Sequence, residues 1–154
     1  MRKDVVTQSH RLLIKLKEMN NAKVFLTALP SWILSLLTAI VILWLTLSPN
    51  PLGDDAPRLF PGADKVVHAM MFGFMAIMIL LDRQRKDGWR TLSVPFIFLG
   101  AALSILMGVG IEVAQLKMDM GRGYEVADMV ADAVGVAICS LSWILLQHRW
   151  SNRS

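Results

Sequence analysis

The sequence predicts an all-α integral membrane protein with four transmembrane helices and an N-terminal amphipathic helix. Three observations predict it. Of 154 residues, 55% are hydrophobic and 18% charged, and the mean hydropathy of +0.50 is too apolar for an ordinary soluble domain of this length. Uncharged runs cover 24–47, 66–81 and 91–111, and a fourth at 126–146 is interrupted only by Asp128 and Asp132. A hydrocarbon layer about 30 Å thick needs about 20 helical residues, so all four runs are long enough or nearly so. Finally, Lys and Arg are distributed unequally between the connecting segments.

The elements follow in order. Leu12, Leu13, Leu16 and Met19 recur at helical spacing beside Arg11, Lys15 and Lys17, which predicts a basic amphipathic helix on the inner membrane surface over 1–29. Pro30-Ser31 marks where that helix ends or bends, and a four-helix domain is expected over 30–148 with a tail at 149–154. The first apolar run follows more than twenty polar and basic residues and no small-residue cleavage site succeeds it, so this span is expected to stay in the mature protein. SPNPLGDDAPRLFPG, 48–62, holds four prolines and two glycines and reads as an external loop. DRQRKDGWR, 82–90, reads as the turn between the second and third spans.

Small residues stripe the last two spans: Gly100, Ser104 and Gly108, then Gly135, Cys139 and Ser142. Such stripes let helix backbones approach closely in a bilayer. The first leads to Glu112 and the second back to Asp132 and Asp128. Cys139 is the single cysteine and reads as a packed, inert thiol. The ten methionines read as soft packing, and His10 and His148 as solvated flanking residues.

Orientation follows from the bases. Arg2, Lys3, Arg11, Lys15, Lys17, Lys23, Arg83, Arg85, Lys86, Arg90, Arg149 and Arg153 fall on one side, and Arg58, Lys65, Lys117 and Arg122 on the other. The bias predicts cytoplasmic termini and external 48–65 and 117–126 loops. The net charge of +4 then expresses topology and attraction to anionic lipid, not nucleic-acid binding.

With that topology three helix ends meet at the outer face. Asp64 and His68, Glu112 and Gln115, and Asp128 and Asp132 each share a helix face, and Arg122 lies between glycines in the adjoining loop. A carboxylate at mid-bilayer costs about 2.5–3.5 kcal/mol on insertion scales, so these groups are expected to face one another and not lipid. Capping explains Asp64 and Asp128 near helix N-termini, but Glu112 sits at a C-terminal end, where the helix dipole opposes it. Four acids (Asp64, Glu112, Asp128, Asp132) against Lys65, Arg122 and His68 favour a protonated carboxyl, a charged His68 or a bound cation. A metal set of His68, Glu112, Asp128 and Asp132 is chemically feasible, but its spacing fits no specific motif. No metal or cofactor is therefore expected.

DKVVH (64–68), GIEVAQ (110–115) and GRGYEVADMVADAVG (121–135) resemble the VanZ-like family of small bacterial membrane proteins. The resemblance covers about the last ninety residues and gives signature places to Asp64, Lys65, His68, Glu112, Gln115, Arg122, Asp128, Asp132 and Gly135. Asp132 stands where many members carry Asn, and Phe72 where tyrosine often follows the histidine. The resemblance implies a multi-pass protein of the bacterial cytoplasmic membrane and no particular reaction.

Three functions compete. In the first, the cluster binds a membrane lipid or lipid-linked cell-wall component: Arg122 engages a phosphate, and Asp64, Lys65, Gln115, Asp128 and Asp132 complete the polar contacts. In the second, an intramembrane enzyme modifies a lipid head group, with His68 or Glu112 as general base and another acid as proton donor. No nucleophile motif is present, since Ser104 and Cys139 sit too deep. Proton- or cation-coupled transport is the third, disfavoured because no discontinuous helix or repeat is visible. Four short spans bury little surface, which leaves self-association open.

Overall fold

A computed structural model describes residues 14, 17–48, 51, 60–118 and 125–151. Among these residues the chain is helical without strands: α1 (Lys17–Ala28), α2 (Ile33–Leu47), α3 (Ala63–Lys86), α4 (Val94–Met118) and α5 (Val126–Ser151). Helices α3, α4 and α5 are each long and apolar enough to cross a membrane. Helix α2 has 15 residues and a length of about 22 Å at 1.5 Å per residue. It reaches spanning length only together with α1, from which it is bent by 75°. Of the four predicted spans, three are single helices long and apolar enough to cross a membrane, and the count reaches four only if the bent pair is taken as one span. Most of the residues that carried the amphipathic pattern (Arg11, Leu12, Leu13, Lys15 and Leu16) lie outside the described residues, as do Arg58 and most of the 48–62 loop.

The bundle is inverted relative to a soluble protein. Leu36, Ile40, Val41, Phe98, Leu106, Ile138 and Leu145 are exposed, while Asp82, Arg85, Ser104, Glu112 and Asp132 are buried. Lipid solvates the first group at no cost, whereas ionisable groups must find partners inside. A core of Ile42, Phe72, Met75, Ala76, Ile79, Ile111 and Val136 joins the helices. Gln147 of α5 holds the chain entering α4 by donating to the Leu92 carbonyl (3.0 Å) and accepting from the Leu92 N–H (3.1 Å).

Helix α3 is the central member, and its crossing with α5 is the closest in the bundle. A Cβ on Gly135 would collide with the Ala69 backbone carbonyl, and one on Gly73 would come within 2.8 Å of Cys139 Sγ and 2.9 Å of the Gly135 carbonyl. On α4, Gly100 packs on Ile79 and Leu80, and Gly108 on the Asp132 carboxylate. The stripe on α5 departs from expectation beyond Cys139: Ser140 is buried and Ser142 exposed. At 3.6 residues per turn a helix crossing its neighbour this closely keeps contact along the i, i+4 row through Asp132, Val136 and Ser140.

The segment 82–90 is not simply a turn. Helix α3 continues to Lys86, and Asp82 and Arg85 are buried against the break between α1 and α2. Asp82 Oδ2 accepts the Ser35 N–H (2.8 Å) and hydroxyl (2.7 Å). It thereby caps the N-terminus of α2, whose own N-cap residue, Trp32, makes no side-chain cap. Arg85 donates from Nε to Asp82 Oδ1 (2.8 Å), from one terminal nitrogen to the Leu26 and Leu29 carbonyls (2.8 and 2.9 Å), and from the other to the Pro30 carbonyl and Asp82 (both 2.5 Å). A guanidinium has five N–H donors, and this set uses all of them. One i, i+3 pair on α3 thus satisfies carbonyls released where α1 ends and the Ser35 N–H in the first turn of α2. The expectation that no helix is discontinuous fails here, but the break faces the opposite end of α3 from Asp64 and His68.

Removing Arg85 would leave Asp82 buried and unpaired. Arg85→Met is expected to lower unfolding free energy in detergent by about 3–5 kcal/mol, and Arg85→Lys to recover only part, because an ammonium has three donors. Gly135→Ala is expected to lose about 1–3 kcal/mol by forcing α3 and α5 apart. Denaturant titrations monitored by tryptophan fluorescence check both.

Candidate functional site

The polar residues singled out by sequence converge at the end of the bundle where α3 and α5 begin and α4 ends. Gly62 opens α3 with φ 83°, a left-handed conformation that glycine adopts without a steric penalty. Asp64 follows in the first turn, where the helix dipole favours an acid. Asp128 has the same position in α5. Glu112 lies near the C-terminal end of α4 and is wholly buried.

Lys65 organises the rim. Its Nζ lies 2.5 Å from Asp64 Oδ2 and 3.0 Å from Asp128 Oδ1, and it also pairs with Glu125. Beneath it, His68 Nδ1 lies 3.0 Å from Asp132 Oδ1. This pair spans α3 and α5 one residue from the Ala69 contact and three from Gly135, so the close crossing sets its distance. Phe72, fully buried one turn further along α3, stacks on the His68 ring at a centroid distance of 6.2 Å.

Glu112 Oε2 accepts the Glu125 backbone N–H at 3.1 Å, tying α4 to the start of α5. Among the described residues its Oε1 has no hydrogen-bond partner, nor does Asp132 Oδ2. Among the described residues no lysine or arginine pairs with either carboxylate. Burying such groups without a partner is costly, so their environment is informative. Gln115 donates from Nε2 to the Thr46 carbonyl at 2.9 Å, satisfying a carbonyl in the last turn of α2.

A cavity of about 470 Å³ opens between these groups, with Thr46, Asp64, His68, Gln115, Glu125 and Asp128 as its polar wall and Leu45, Pro51, Val67 and Met71 as its apolar one. Leu45 and Met71 also border a second, smaller cavity of about 250 Å³ between α2 and α3, otherwise lined by Leu37, Thr38, Val41, Ile42 and Phe74. Glu112 and Asp132, both expected at the site, do not line the larger cavity: they stand behind His68 and Asp128. Arg122 lies outside the described residues.

Two members were missed by sequence reasoning. Glu125 belongs to the rim through Lys65, and its position three residues before Asp128 at a helix start was the available signal. Thr46 contributes through its backbone carbonyl, which no side-chain pattern reports.

A buried polar site at one end of a bundle whose outer surface is apolar defines a multi-pass membrane protein with a polar chamber. The sequence model of the VanZ/LLP1 family matches residues 5–147, and the chain belongs to that family. No curated protein and no solved structure matches it.

Among the described residues the rim carries one fixed cation, Lys65, against three carboxylates. Lys65→Met unpairs Asp64, Glu125 and Asp128 together, whereas Asp64→Asn removes one acid from a surplus. Lys65→Met is expected to lower the melting temperature in detergent, and Asp64→Asn to leave it unchanged or raise it, as measured by differential scanning fluorimetry.

Proposed function

We propose that the protein binds a lipid or lipid-linked envelope component at the outer face of the bacterial cytoplasmic membrane, its head group in the polar cavity and a hydrocarbon chain in the adjoining groove. The observation that carries this reading is the junction of two unlike cavities. The polar one, about 470 Å³, lies within the size range of small-molecule sites, about 300–1,000 Å³. Leu45 and Met71 line both it and the neighbouring groove of Leu37, Val41 and Phe74. An amphiphile changes polarity along its length in the same way.

Lys65 and His68 supply donors suited to phosphate or hydroxyl oxygens, and Asp64, Glu125 and Asp128 accept from amines or hydroxyls. Arg122 is a second cation for a phosphate in this reading. The excess of Lys and Arg in the other connecting segments supports an orientation with both termini cytoplasmic and the chamber outside.

A second reading makes the same chamber an acid–base enzyme acting on the bound head group. The pairing of His68 Nδ1 with Asp132 favours it, since a carboxylate on one ring nitrogen orients the other toward a substrate. His68 is then the base and Glu112, through its free Oε1, the proton donor.

Thr38→Trp fills the groove without touching the polar wall. Native mass spectrometry of the purified protein is expected to show retained lipid in the wild type and its loss in Thr38→Trp, with loss of the melting rise on lipid addition. Equal retention by both proteins would sink the binding reading. Under the enzyme reading, His68→Ala and Glu112→Gln are expected to retain lipid but lose the in vivo phenotype; full phenotype in both, with folding intact, removes that role.

A further inference from the structure

We propose that His68, Glu112 and Asp128 bind a divalent transition-metal cation, Zn²⁺ or Mn²⁺, with Asp132 orienting the histidine from behind. The inference goes beyond lipid binding and holds whether or not an amphiphile occupies the chamber. It assigns His68 as a ligand, not a base.

Geometry comes first. One ligand atom from each of His68, Glu112 and Asp128 can be chosen so that all three lie within 4.8 Å of one another. A tetrahedral ion with bonds of about 2.0–2.2 Å holds its ligand atoms about 3.3–3.6 Å apart, so side-chain adjustments alone close the site. The three come from three different helices, α3, α4 and α5. That is why no sequence spacing announced them.

The second observation is independent of the clustering. Glu112 is 0% exposed, and its Oε1 has no hydrogen-bond partner among the described residues, while Oε2 is held by the Glu125 N–H. A backbone donor therefore fixes the carboxylate and leaves its other oxygen to a ligand. His68 is arranged likewise: its Nδ1 is engaged by Asp132 Oδ1 at 3.0 Å, which leaves Nε2 for a metal. Histidine ligands to metals almost always carry such an outer carboxylate or carbonyl, which sets the tautomer and the ring orientation.

A neighbouring acidic group supplies the contrast. Asp64, Glu125 and Asp128 also lie within mutual ligand distance, but Lys65 pairs with all three, whereas in the proposed set it pairs with Asp128 alone. Deeper in, Glu112 and Asp132 have no lysine or arginine among the described residues, and a divalent ion would offset their charge. One nitrogen with carboxylate oxygens suits Zn²⁺ or Mn²⁺ better than an all-oxygen ion such as Ca²⁺. Three protein ligands leave coordination positions open, and because His68 and Asp128 line the chamber, those positions face its contents.

The test uses the full chain in detergent, stripped of metal by chelation and then titrated with Zn²⁺ or Mn²⁺ alone. One ion per chain is expected by elemental analysis after desalting, together with a rise in melting temperature. Pulsed electron paramagnetic resonance of the Mn²⁺ form is expected to show nitrogen coupling from an imidazole. His68→Ala abolishes that coupling, Asp132→Asn weakens affinity about 10–100-fold, Glu112→Gln weakens it at least as much, and Asp87→Asn, at the opposite end of α3, changes nothing. Wild-type protein that retains no ion, coupling that persists in His68→Ala, or unchanged affinity in Glu112→Gln would each overturn the proposal. The wild-type stoichiometry and coupling decide the matter even if a variant fails to fold, and lipid retention enters none of these readouts.

Discussion

Ala69 and Gly135 bring the backbones of α3 and α5 into contact, and the polar chemistry of the molecule depends on that approach. Any side chain at 135 would occupy the position of the Ala69 carbonyl. Because side chains one turn away inherit the spacing, His68 meets Asp132 at hydrogen-bond distance and not across a lipid-filled gap. Packing of α4 through Gly108 then closes over Asp132, and Glu112 follows one turn later. In a bilayer, where burying apolar surface gives helices little reason to associate, such close backbone contact and internal polar pairing supply much of the cohesion.

The two ends of α3 handle buried charge in different ways. At the Arg85 end every guanidinium donor has a partner, and the ion pair closes a 75° break between α1 and α2. Among the described residues that ion pair is saturated, with no guanidinium donor left over. At the His68 end, among the described residues, carboxylates outnumber fixed cations and buried oxygens lack partners. A folded protein tolerates a deficit of this kind where binding or proton chemistry makes use of it. The polar chamber lies at this second end, so the unfinished polar network and the accessible space coincide.

Asp82 and Arg85 also show how a count of charges can mislead. Both were read as parts of a hydrophilic turn, and Arg85 as one of the bases that set topology. Neither meets water. Their role depends on the carbonyls of Leu26, Leu29 and Pro30, and a sequence pattern gives no account of which backbone groups a distant helix break will leave unsatisfied. Glu125 was overlooked for a related reason: it joins the site through Lys65, sixty residues away.

Sequence by itself determined the helical class, the three long spans and the gathering of Asp64, His68, Glu112, Asp128 and Asp132 at one end, because hydropathy, helical period and the alternation of spans are local or additive properties. It determined the family through three short motifs in order. Tertiary structure decided that the first apolar run is divided between two helices bent by 75°, that Asp132 serves His68 and does not line the chamber, that Gln115 holds the end of α2, and that a polar cavity adjoins an apolar groove. Each of these depends on contacts between helices distant in sequence, where separation and rotation are set by side-chain volume and by the partners available to buried polar groups.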